Sequence, residues 1–103
     1  MTLADDRLIR QTLRQGARRE SDHFVVCRLA SPLGKTQFCF KSPKRLGNAV
    51  HRNRIRRLMR EFVRTHKPLW PDSAAVVLIP KPGTLELDFQ QVSAELQGLF
   101  GIG

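Results

Sequence analysis

Arg52, Arg56, Arg60 and Arg64 recur every four residues, with Asn53, Arg54 and Arg57 between them. A guanidinium group is permanently charged, binds phosphate oxygens through two parallel hydrogen bonds and stacks on bases. The series therefore suits capture of a polyanion rather than proton transfer. The segment from Lys41 to Lys67 holds ten of the eighteen basic residues and a single acid, Glu61, so its net charge of +9 equals that of the whole chain. The other 76 residues carry eight bases and eight acids and balance to zero. Charge concentrated in this way favours a partner whose condensed counterions are released as its phosphates are neutralised.

Such a series works only if one element holds it on one face. A side-chain oxygen on Asn48 can accept an orphan N–H at a helix start and Pro68 blocks continuation, which predicts a helix from Asn48 to about His66. With about 3.6 residues per turn, Ile55, Leu58, Met59, Phe62 and Val63 share one arc, and Arg52, Arg56, Arg57, Arg60 and Arg64 share the opposite one. Solvated helix faces usually pair acids with bases at i, i+4. Here like charges stack at that spacing, each pair costing roughly 0.2–0.5 kcal/mol. Arg52 and Arg54 also lie near the positive end of the helix dipole, where a cation is disfavoured by up to ~1 kcal/mol. The isolated chain gains nothing from this, as expected of a surface completed by an anionic partner. Contact with about six phosphates would give log affinity a slope near −4 to −5 against log salt.

The remaining elements must carry that helix. Asp5 and Asp6, followed by the stripe Leu8, Ile9, Thr12 and Leu13, predict a first helix from about Asp5 to Gln15, ended by Gly16 at C′. A short strand is expected near Ala17 to Ser21. Phe24–Leu29 and Thr36–Phe40 read as strands joined into a hairpin through Ala30-Ser31-Pro32-Leu33-Gly34. Ala74 to Ile79 reads as a strand buried on both faces. Asp88 with Gln91 forms a capping-box pattern before a last helix marked by Phe89, Val92, Leu96, Leu99 and Phe100. The order α-β-β-β-α-β-α predicts a single α+β domain over residues 1–103, a mixed four-stranded sheet with helices packed on it. Phe38 and Phe40 alternate with Gln37 and Cys39 and are expected to face Phe62 across the core.

Composition narrows the function classes. No run approaches the ~20 apolar residues of a membrane helix, and the first residues are acidic where a signal peptide is basic. A cytoplasmic chain without a membrane partner is expected. Cys27 and Cys39 lie in apolar runs and read as free core thiols, with a cross-strand disulfide as the minority alternative. Two cysteines and three scattered histidines lack the clustered spacing of a zinc site. His23, His51 and His66 fall on separate elements, so no catalytic acid–base pair can be assembled, and His51 reads as structural or phosphate-contacting. A basic helix also occurs in ribosomal and DNA-binding proteins. A major-groove reader, however, needs base-specific side chains and usually a two-fold partner, and the sequence shows no dimerisation seam, so a monomer is expected in the absence of nucleic acid. A membrane-surface helix would need the apolar arc that the core requires.

The run Lys44-Arg45-Leu46-Gly47-Asn48-Ala49-Val50-His51-Arg52-Asn53-Arg54-Ile55-Arg56-Arg57-Leu58-Met59-Arg60-Glu61 resembles the signature of the bacterial ribonuclease P protein subunit. The likeness extends to the element order, size and basicity of the whole chain. It implies a fold in which the arginine helix crosses between two parallel neighbouring strands with the rare left-handed sense. It also implies a ribonucleoprotein endoribonuclease that frees the mature 5′ end of precursor tRNA, with catalysis by the RNA subunit and Mg²⁺ held mainly by that RNA. By this resemblance Lys44, Arg45, Asn48, Arg52, Asn53, Arg54, Arg56, Arg57 and Arg60 contact the catalytic RNA, and the protein alone is inactive. The family's second site is a cleft between helix 1 and the sheet that holds the single-stranded 5′ leader. Alignment on Gly16 and on Phe24-Val25-Val26 brings Ile9, Leu13 and Cys27 to positions where members commonly carry aromatic residues. This chain has no tyrosine, so base stacking worth ~1–3 kcal/mol per base is missing there. Apolar contact with Arg10, Arg14 or Arg28 would replace it, or Ile9 and Leu13 are plain core.

Overall fold

The expected hairpin between Phe24–Leu29 and Thr36–Phe40 does not form. In the computed structural model, which describes residues 2–31 and 34–100 and only the backbone at Leu85, four strands lie in the order β1-β2-β4-β3. They are β1 (Ala17–Glu20), β2 (Phe24–Ala30), β3 (Gln37–Phe40) and β4 (Ala74–Pro80). β4 inserts between β2 and β3, antiparallel to β2 (Val26 opposite Leu78) and parallel to β3 (Phe38 opposite Val76). Burial decides this order. β4 is buried from Ala74 to Leu78 and β2 from Phe24 to Cys27, so each needs cover on both faces and the two take the centre. β1, which reads Ala-Arg-Arg-Glu, and the four-residue β3 take the edges. The actual hairpin joins β1 to β2, with Ala17 opposite Arg28 and Glu20 opposite Val25. Pro32 and Leu33 of the turn read after β2 lie outside the described residues.

Side-chain alternation along the central strands builds two cores. Phe24, Val26, Phe38, Val76 and Leu78 face α2 (Ala49–Thr65) and α3 (Phe89–Phe100), while Val25, Cys27, Ala75 and Val77 face Leu3 and Ile9 beneath α1 (Asp6–Gln15). α1 therefore covers one side of the sheet and the other two helices cover the opposite side. Phe38 meets α2 as expected, and its ring lies 4.9 Å from Trp70; Phe40 is only partly buried. Cys27 and Cys39 are both free and both stand opposite Val77, separated by β4. Two strand spacings of roughly 4.8 Å carry their Cα atoms beyond disulfide reach. Burial pushes both thiols up.

The caps hold the helices in place. Asp5 Oδ1 accepts from the N–H groups of Arg7 (2.9 Å) and Leu8 (3.3 Å). In α3 the capping box is reciprocal, Asp88 Oδ1 accepting from Gln91 N at 2.8 Å and Gln91 Oε1 from Asp88 N at 2.9 Å. Two stripe residues depart from expectation: Leu13 is 39% exposed and Phe89 36% exposed, each at the edge of its helix's buried face. Glu95 on α3 ties down the β1–β2 turn by accepting from the Ser21 hydroxyl, from His23 N at 2.7 Å and from the His23 ring at 2.9 Å. Burial raises its carboxyl, but these hydrogen bonds outweigh burial and hold it below the ordinary range.

Gly16 ends α1, but not as a left-handed cap. Its backbone is extended, at φ −72° and ψ 161°. Glycine is required there by space, since a Cβ would lie 2.5 Å from Thr12 O and 2.6 Å from Arg28 O. Both obstacles are main chain. Gly16→Ala is expected to cost about 1–3 kcal/mol, the range for forced overpacking, read as a lower urea midpoint. A midpoint equal to that of the wild type would show that α1 can lift from β2 without loss.

Candidate nucleic-acid interface

The chain leaves β3 through Lys41-Ser42-Pro43, makes one 3-10 turn at Lys44–Leu46 and enters α2. Leu46 is buried and anchors this turn, which leaves Lys44 and Arg45 exposed beside the helix start. Gly47 follows at φ 135° and ψ −156°, a backbone state that glycine alone adopts without strain. It sets Asn48 as the cap, whose Oδ1 accepts from His51 N at 2.9 Å. That oxygen is therefore occupied in fixing the helix start.

Core packing of Ile55, Met59, Phe62 and Val63 turns the opposite face of α2 outward. The arginines divide less cleanly than the helical wheel implied. Asn53, Arg57 and Arg60 are exposed, whereas Arg52 and Arg56 are half-buried where the helix meets its surroundings. Arg52 Nε donates to Ser42 O at 2.8 Å, which ties the entry loop to the helix. Arg56 donates to Asn53 Oδ1, and the Arg60 guanidinium stands 5.7 Å over the Phe40 ring. Asn53, Arg56, Arg57 and Arg60 line an open cleft of about 450 Å³. Arg64 pairs with Glu61, a contact that lowers the Glu61 carboxyl and raises Arg64. Among the described residues no carboxylate pairs with Arg52, Arg56, Arg57 or Arg60.

Arg54 stands apart on the other flank. Its Nη2 donates to Leu87 O at 2.6 Å, and it lines a recess of about 280 Å³ with Leu46, Gly47, Asn48, Val50 and His51. His51 is buried, with Nε2 3.4 Å from Thr84 Oγ1 and Nδ1 without a partner among the described residues. It is a packed histidine of the helix start, not a surface ligand for phosphate.

The three residues expected at the leader cleft do not share an open groove. Ile9 and Cys27 are 7% and 1% exposed and pack beneath α1, and Leu13 alone reaches the surface. Ile9 and Cys27 are instead part of the core between α1 and the sheet, with Val25, Ala75 and Val77. Arg10 and Arg14, expected to help grip the leader, lie on the outer side of α1. Arg7, Arg10, Gln11, Arg14 and Gln15 line a cavity of about 320 Å³ there. The signal was legible as three arginines at i, i+3 and i+7.

The family model described as Ribonuclease P matches residues 1–102, nearly the entire chain. The chain belongs to the ribonuclease P protein family. Curated relatives agree. A ribonuclease P protein component of Geobacter sp. (strain M21) is 41% identical over 81 residues, covering 79% of this chain and 69% of that protein. One from Syntrophus aciditrophicus is 35% identical over 86 residues, covering 84% and 72%. In fold the chain is similar to the RNase P protein of Thermotoga maritima, with a TM-score of 0.90, 22% identity and coverage of 100% of this chain and 97% of that one. The RNase P protein of Staphylococcus aureus gives a TM-score of 0.89 at 22% identity, covering 98% and 93%. In this family member α2 is the connection between parallel β3 and β4, so its arginines project from a segment fixed at both ends.

Proposed function

We propose that this chain is the RNA-binding protein subunit of the ribonuclease P ribonucleoprotein, which removes the 5′ leader from precursor tRNA. The observation that carries the proposal is the α2 cleft, where Arg56, Arg57 and Arg60 are held by a buried apolar face and, among the described residues, have no carboxylate partner. Guanidinium groups so placed neutralise and fork onto phosphates, and A-form RNA presents backbone, bulges and loops to them more readily than base edges. Lys44 and Arg45 extend the surface, Arg52 and Asn48 position it, and Asn53 keeps its amide for a directional bond. The partner is the catalytic RNA, which holds the Mg²⁺ and supplies the reaction chemistry; the protein screens charge and aids capture of precursor tRNA. No helix among the described residues is long and apolar enough to cross a membrane, and a cytoplasmic, monomeric protein suits this role.

Multiple-turnover cleavage of precursor tRNA by the catalytic RNA at low Mg²⁺ tests it. Wild-type protein is expected to stimulate cleavage at least tenfold, and Arg56→Ala/Arg57→Ala protein to lose most of that stimulation. Equal stimulation by both would remove the α2 assignment. Absence of stimulation by either would remove the function.

A further inference from the structure

The recess on the flank of α2 encloses a polar atom that the fold leaves unused. His51 is 5% exposed, and its Nδ1 has no hydrogen-bond partner among the described residues. Its Nε2 lies 3.4 Å from the hydroxyl of the fully buried Thr84, near the outer limit of a hydrogen bond. A buried polar atom without a partner is destabilising, and folded proteins keep few of them. The arginine cleft does not employ this histidine. Asn53, Arg56, Arg57 and Arg60 line that cleft, whereas His51 lines the recess with Leu46, Gly47, Asn48, Val50 and Arg54.

The recess has the make-up of a site for a small, flat, uncharged ring. Its volume of about 280 Å³ lies just below the ~300–1,000 Å³ of ordinary ligand pockets, so one or two fused rings fill it. Leu46 and Val50 give it apolar walls, and Val50, 77% exposed, belongs to neither core. Leu87 O holds the Arg54 guanidinium at 2.6 Å, which fixes a planar group at the rim against which a ring can stack. The imidazole itself is set to respond. Its Cδ2 edge faces Gly47, 3.3 Å from where a Cβ on that glycine would stand. A half-turn of the ring about Cβ–Cγ exchanges Cδ2 with Nδ1 at the loss of the long Thr84 contact. Nδ1 then faces Gly47, on the recess wall, and pairs with the edge of a ring seated there. An ordered water would satisfy the nitrogen but would leave the apolar walls uncovered.

We propose that this recess is a nucleobase subsite in which His51 reads the edge of one unstacked base. The subsite differs in kind from the arginine surface. Phosphate contacts position a nucleic acid without reading it, whereas an uncharged hydrogen bond to a base edge discriminates among bases. A free nucleoside and an unpaired base of the catalytic RNA offer the same chemistry. Only the second source rests on the function proposed above.

Adenosine, guanosine, cytidine and uridine are titrated separately into the full chain by calorimetry at low and high salt, with His51→Phe and Val50→Ala beside wild type. One nucleoside is expected to bind wild type about tenfold tighter than the weakest of the four, the discrimination of a single base-edge contact. Salt should leave that affinity unaltered, because no phosphate is neutralised. His51→Phe keeps a ring in the buried position and removes both nitrogens. It is expected to weaken the preferred nucleoside roughly tenfold and to level the four. Val50→Ala, at an exposed position that leaves the fold intact, should weaken all four by about threefold through lost apolar cover. If the base is carried by the catalytic RNA, His51→Phe should also weaken that RNA roughly tenfold with the salt slope unchanged. If only free nucleosides enter, RNA affinity stays that of wild type. Absence of saturable binding by every nucleoside, together with unchanged RNA affinity, would overturn the proposal. A His51→Phe loss accompanied by a shallower salt slope would overturn it as well, since that loss belongs to the phosphate surface. Should His51→Phe lower the urea midpoint, Val50→Ala decides by the same readings. If wild type does not bind the catalytic RNA, the proposed function falls, and the nucleoside titration still decides the recess.

Discussion

Replacing Arg56, Arg57 and Arg60 together by glutamine is expected to weaken binding to the catalytic RNA by roughly 100- to 500-fold at 0.1 M salt. Each neutralised phosphate contributes about 0.7–0.9 to the salt slope, so the slope itself should become shallower by about 2 to 3. Filter binding or fluorescence titration over a salt series reads both quantities. The same substitutions should leave the free protein equally or slightly more stable. They remove like-charge pairs at i, i+3 and i, i+4 worth roughly 0.2–0.5 kcal/mol each, and the side chains lie on the outward or border face of α2. Opposite signs for binding and stability are the signature of a surface built for a partner. A salt slope unchanged from wild type would mean that the RNA is held elsewhere.

Phe62→Ala should remove the platform on which those arginines stand. Phe62 is 1% exposed and stacks on Phe100, with ring centroids 5.7 Å apart, and on His66 at 4.2 Å. Deleting a buried phenylalanine costs about 3–5 kcal/mol, through lost transfer energy and the cavity left behind. A domain of this size is stabilised by roughly 5–15 kcal/mol in total. The variant is thus expected to unfold at much lower urea with an unchanged m value, and to bind RNA only as RNA pulls the folded form by mass action. Leu58→Ala, at a half-buried site of the same helix, should cost clearly less. A loss below ~1 kcal/mol at Phe62 would show that α2 is not anchored by its apolar face.

The arginine surface was legible because it sits on one helix. Asn48 as cap, the helix end near His66, the apolar arc and the unbalanced charge all follow from local spacing, and each appears within one or two residues of its expected place. The clean division of arginines was not legible. Arg52 and Arg56 lie at the edge of the apolar arc, and for Arg52 it is the path of Ser42, whose carbonyl accepts from its Nε, that meets the side chain. The signature run likewise marked Arg54 as equivalent to its neighbours, yet Leu87, 33 residues away, draws it to the other flank. His51 has the same history, being enclosed by Thr84 from another segment.

Periodicity and capping chemistry were enough to specify the helices, the four strands and the site of excess charge, because these depend on residues a few positions apart. Strand order was a tertiary decision. β2 and β4 are each apolar on both faces, and pairing them at the centre buries more than the sequence-adjacent pairing of β2 with β3. The same holds in part at Gly16, where one of the two carbonyls that exclude a Cβ, that of Arg28, belongs to a strand the helix pattern does not contain. A local pattern sets which way a side chain points along its own element. What it then meets is decided by competition for burial among the elements, and that competition is resolved only when the whole chain packs.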